Sequence, residues 1–170
     1  MSIRMDTVRW AACALEFFVL YLLGVTPNLL PAVAGVLPVP LAAAAIAAAM
    51  FETELPAMGF GIFAGVLIDF GMGSVMGFHA CVLAVLCFVA SWLCRNLFKV
   101  NLLTCGVLCL AGAAILFGLQ WVFFCLVPEQ TGAGHIFVRY ILPRVVYSAL
   151  FCLPAYPVSR ALFNATAPGE

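Results

Sequence analysis

Residues 59–93 read GFGIFAGVLIDFGMGSVMGFHACVLAVLCFVASWL, and this stretch decides the fold. Two apolar runs flank a glycine-rich step from Gly71 to Gly77, and a single carboxylate, Asp69, closes the first run. A run of this length with almost no charge is too apolar for a soluble surface helix and suits a membrane-spanning one. The pattern predicts a helical hairpin with one span over 56–70 and the next over 77–94. Gly61, Gly65, Asp69, Gly73 and Gly77 recur every four residues. The first three share one helix face, and Gly61-xxx-Gly65 is a small-residue pair of the kind that lets helices approach closely in lipid.

The rest of the chain agrees. Of 170 residues, 66% are hydrophobic and 8% charged, with a mean hydropathy of +1.21. Soluble domains carry roughly 25% charged residues, so a water-exposed fold would leave far too much apolar surface wet. Working outward, a first span is expected over 8–26. Arg4 and Arg9 precede it as in a signal peptide, but Glu16 interrupts the apolar run and no small-residue cleavage pattern follows, so it reads as a retained span. Segment 27–40, PNLLPAVAGVLPVP, holds four prolines and predicts a half-helix or irregular crossing packed against protein. The alanine run LAAAAIAAAM places a second span over 39–51, packed inside the bundle because its side chains are small. Span five is expected over 101–127 and span six over 136–163, broken by Pro143, Pro154 and Pro157. The expectation is one all-α membrane domain over 1–170, with about six transmembrane helices in one bundle. Arg4, Arg9, Arg95, Lys99 and Arg160 then fall on one side and at most Arg139 on the other, which predicts both termini in the cytoplasm.

Candidate chemistry is sparse. An ionisable group within a span usually faces the bundle interior. Asp69 therefore reads first as a helix-packing or capping residue for span four, and second as a partner or ligand contact. Glu16 lies in mid-span, with Arg144 of span six as the candidate partner. His79 reads as an interfacial histidine, and Glu52 and Glu54 as solvated at a turn. The eight cysteines lack zinc-ligand spacing and read as small apolar side chains. No nucleophile elbow, phosphate loop or zinc-protease pattern occurs. Zero formal net charge gives no reason to expect a nucleic-acid partner. No catalytic residue, metal or cofactor is expected.

The hairpin resembles the rod shape-determining protein MreD family. The resemblance lies in Gly59-Phe60, Gly65, the aliphatic-Asp step Leu67-Ile68-Asp69, Gly73 and Gly77, with the Arg95-Asn96-Leu97 hinge and the early Pro27-Asn28 step. In motif it covers about residues 52–99, and in layout the whole chain. It implies a non-enzymatic component of the bacterial cell-elongation machinery in the inner membrane. The implied partner is MreC, a single-span protein, and through it MreB filaments and peptidoglycan synthases. The family is also similar in fold to the substrate-binding subunits of energy-coupling-factor vitamin transporters. A vitamin-binding transporter subunit is accordingly the alternative function. On the scaffold reading, the face of Gly61, Gly65 and Asp69 serves structure or partner docking.

Overall fold

The computed structural model of the chain describes residues 2–26, 38–72, 76–126 and 133–165. All the regular structure among them is helical. The elements are α1 (Ser2–Val25), α2 (Pro40–Ala49), α3 (Glu54–Met72), α4 (Phe78–Asn96), α5 (Leu102–Trp121), α6 (Ala133–Ile136), α7 (Leu142–Leu150) and α8 (Cys152–Ala165). Among the described residues, five stretches are long and apolar enough to cross a membrane: Val8–Val25, Glu54–Gly71, Phe78–Asn96, Leu102–Cys125 and Phe137–Asn164. The expected first, third, fourth, fifth and sixth spans fall on them. The segment 27–37, most of the expected irregular crossing, lies outside the described residues, as does Gly73.

The expected second span is shorter than a crossing. Its helix has 10 residues, or about 15 Å at 1.5 Å per residue, half of a roughly 30 Å hydrocarbon layer. What α2 lacks in length it makes up in position. Every residue from Pro40 to Ala49 is buried, and the helix packs against α1, α3, α4, α5, α7 and α8. Alanine makes this possible, because a central rod whose side chains are small except at Leu41 and Ile46 lets six neighbours close around it. Pro40 stands at the first helical position, where its missing donor costs nothing.

Both ends of α2 are tied to other helices. At its start, the Val39 N–H donates to Ser148 Oγ of α7 at 3.0 Å. At its end, the Ser91 hydroxyl of α4 donates to the Glu52 carbonyl at 2.6 Å. The last turn tightens, with Met50, Phe51 and Glu52 N–H groups reaching the carbonyls three residues back, which satisfies terminal carbonyls that an α-helix leaves open. Larger side chains pack around this axis, among them the fully buried Phe17, Leu83, Leu116 and Phe117. Phe17 meets Phe60 edge-on, with ring centroids 5.9 Å apart.

The prolines of the sixth span act differently from expectation. The helical path breaks at Phe151, between α7 and α8. Pro143 sits in the first turn of α7 and Pro154 in the first turn of α8, where proline is tolerated. Pro157 lies inside α8 without ending it. A wide π turn over Phe137–Ile141 precedes Pro143. It loosens the chain at Arg139, the carbonyl that the proline ring would crowd.

Candidate functional site

The glycine motif builds the α3–α4 interface, the most extensive helix contact among the described residues. A Cβ added at Gly61 would fall within 3 Å of the Leu83 and Ala84 backbone, and one at Gly65 within 3 Å of the His79 and Ala80 backbone. The two glycines therefore receive α4 of the same chain. A Cβ at Gly59 would meet nothing within 4 Å. Gly59 instead borders a lateral cavity of about 490 Å³ between α1 and α3, with Trp10, Phe60 and Phe63 on its walls.

Asp69 closes the hairpin by capping α4 from across the turn. Its Oδ2 accepts the Gly77 N–H at 2.9 Å. Its Oδ1 accepts the His79 N–H at 3.3 Å and faces His79 Nδ1 at 2.7 Å. Gly77 is the N-cap of α4 with φ of +95°, a left-handed conformation that glycine adopts without strain. A helix start leaves its first N–H groups without intrahelical partners. Here a carboxylate one helix away supplies the acceptors, and the negative charge suits the positive end of the helix dipole. His79 is fully buried against Asp69, a pairing that the reading of an interfacial histidine did not include. Spacing of ten residues across a turn hides such a pair from a search for local ligand patterns.

At the opposite end of the bundle lies a second polar cluster. Arg9 of α1 pairs with Glu52 at 2.7 Å, with side chains 22% and 6% exposed. The Trp10 indole donates to the same carboxylate at 3.4 Å. The Arg9 guanidinium lies 5.3 Å from the centre of the Phe163 ring of α8, and Arg95 at the end of α4 pairs with Glu54 at 3.4 Å. Glu52 is thus a buried clasp residue and not a solvated one. The cluster brings the first and last described helices together at one end. A carboxylate placed where α2 turns into α3 can reach α1, which spacing along the chain does not reveal.

Glu16 and Arg144 do not pair. Arg144 lies over the Phe117 ring, 4.8 Å from its centre, in a helix that packs on α5 and α2, whereas α1 packs on α2, α3 and α8. Glu16 Oε2 is buried and accepts no hydrogen bond among the described residues. It lies on a lateral cavity of about 420 Å³ between α1 and α8 whose other lining residues are apolar. The thiols of Cys105 and Cys109 lie 3.9 Å apart, and Cys109 donates to the Ala43 carbonyl at 3.6 Å. Among the described residues no three His, Cys, Asp or Glu side chains are grouped to hold a metal.

The chain matches no family model, no curated protein and no solved structure.

Proposed function

We propose that this protein is a non-enzymatic scaffold of the bacterial cytoplasmic membrane, acting in cell elongation as members of the MreD family do. Its partner is an MreC-type single-span protein, through which it meets MreB filaments and peptidoglycan synthases. The observation that carries the reading is the filled axis of the bundle. Where a solute-binding subunit needs a central pocket with convergent polar groups, this chain puts a fully buried alanine helix. Two lateral cavities, one between α1 and α8 and one between α1 and α3, carry a mainly apolar lining, a surface suited to other helices, and a smaller one of about 240 Å³ lies beside the start of α2 between α1 and α3. The alternative, a vitamin-transporter subunit, gains no support from such a centre. Of the motif residues, Gly61, Gly65, Asp69 and Gly77 serve this scaffold by fixing the α3–α4 hairpin, while Gly59 and Phe60 border the cavity between α1 and α3. No residue is assigned a catalytic role.

The cytoplasmic side is the end that holds the Arg9–Glu52 clasp. Arg9, Arg95, Lys99 and Arg160 belong to that end and Arg139 to the other, the asymmetry expected of cytoplasmic loops. Both chain ends then face the cytoplasm. The test is co-expression with the MreC-type protein of the same organism and purification of the tagged chain from mild detergent. A one-to-one complex supports the scaffold. Recovery of the chain alone, with a thermal shift on adding a water-soluble vitamin, overturns it in favour of the transporter subunit.

A further inference from the structure

Two thiols stand side by side inside the bundle, one turn apart on α5. Cys105 Sγ and Cys109 Sγ are 3.9 Å from each other, and the two residues are 0% and 1% exposed. A buried thiol taken singly packs as a small apolar side chain, but packing does not require two sulfurs to adjoin. Helix neighbours at this spacing hold their Cβ atoms about 5–6 Å apart, beyond the roughly 3.5–4.5 Å that a disulfide spans. The pair therefore cannot close on itself while α5 keeps its shape. It can share an ion, because with metal–sulfur bonds of about 2.3 Å an ion between the two sulfurs touches both at their present separation. Two further thiols stand near Cys105, Cys94 from α4 and Cys152 from α8. Cys152 packs on α5 at Gly106, where an added Cβ would lie 3.7 Å from its Sγ.

The number and kind of ligands choose the ion. Among the described residues no three His, Cys, Asp or Glu side chains form a group that could hold a metal, so zinc, with its four ligands, and iron–sulfur clusters have no seat there. Calcium and magnesium need oxygen ligands. Cu(I) is soft, prefers thiolates and is satisfied by two of them. The resulting unit carries one net negative charge, and Cys105 sets it at the fourth residue of α5, near the positive end of the helix dipole. We propose that Cys105 and Cys109 form a two-thiolate binding site for Cu(I). On binding, two S–H bonds break, two S–Cu bonds form and two protons leave to water, with no change of oxidation state. The Cys109 S–H gives up a weak contact to the Ala43 carbonyl, at 3.6 Å. Cys94 is 7% exposed in the last turn of α4, and it offers a first sulfur to an ion arriving from the end that holds the Arg9–Glu52 clasp. The site goes beyond the scaffold reading and does not rest on it.

Competition for Cu(I) tests the site on the full chain, purified in detergent and kept free of oxygen with ascorbate. The probe is Cu(I) held by bicinchoninate, whose colour fades as the protein withdraws the ion. Cys81, which is exposed, and Cys125, which is half-buried, are first replaced by serine so that surface thiols do not contribute. This protein is expected to withdraw one Cu(I) per chain, and its melting temperature to rise by about 4 °C or more when Cu(I) is added. Cys105→Ala and Cys109→Ala should each weaken withdrawal at least tenfold and remove the rise. Cys87→Ala, a change at another fully buried thiol outside the pair, should leave both intact. Excess zinc should not displace the ion. Four results overturn the site: no withdrawal, withdrawal that survives the double variant Cys105→Ala/Cys109→Ala, a loss in Cys87→Ala equal to that of the pair, or displacement by zinc. None of the four bears on the scaffold.

Discussion

Asp69 ties the hairpin together, because its two oxygens meet the Gly77 N–H at the N-cap of α4 and the N–H and Nδ1 of His79 in its first turn. Replacing it with alanine leaves buried N–H groups without acceptors, a loss of about 1–3 kcal/mol. Thermal unfolding in detergent should show Asp69→Ala melting well below the wild type, and an unchanged midpoint would mean that the cap is dispensable. The glycines divide by what faces them. At Gly65 an added methyl meets backbone atoms that cannot rotate away, so Gly65→Ala should cost about 1–3 kcal/mol, as overpacking does. At Gly59 the space is open, and alanine there should be neutral or stabilising by up to about 1 kcal/mol through helix propensity. Equal melting temperatures for the two variants would contradict the assignment of Gly65 to the α4 contact.

At the scale of elements, α2 is the unusual one, a half-length helix that the other helices enclose. Its stability comes from the fit of small side chains and from the serine ties at its two ends. Ala45 is fully buried at its middle, so Ala45→Leu forces the neighbours apart at a cost of about 1–3 kcal/mol. Val107→Leu on the outer face of α5, where the side chain is exposed, should leave the melting temperature unchanged. The pair of measurements separates the enclosed helix from a lipid-facing one. A helix of the same composition facing lipid would accept leucine without loss, since lipid tails resemble leucine.

The whole molecule has two unlike ends. One gathers Arg9, Glu52, Glu54 and Arg95 into ion pairs, and the other holds the Asp69–His79 cap. Labelling with a membrane-impermeant maleimide, in a background from which the exposed Cys81 is removed, tests the orientation. Lys99→Cys should react only after the membrane is opened, and Arg139→Cys from outside in intact spheroplasts. The reverse pattern would invert the bundle. The clasp also joins α1 to α2, α3 and α8. Removing one member of a fully buried pair costs about 3–5 kcal/mol, and the partial exposure of Arg9 lowers that figure.

Hydrophobic run length alone determined that the chain is helical and where five long apolar helices run, because each helix satisfies its own backbone whatever surrounds it. The alanine run likewise announced an enclosed helix, since small side chains gain most from close packing. The hairpin motif showed that Gly61, Gly65 and Asp69 share a face, but not that α4 of the same chain occupies it. Pairings between separate helices were beyond the sequence. Glu16 and Arg144 looked matched because both are buried charges, yet Arg144 found an aromatic ring and Glu16 a lateral cavity. Glu52 looked solvated, yet it joins Arg9. Which helices become neighbours depends on the fit of whole faces around α2, and only the tertiary structure decides that.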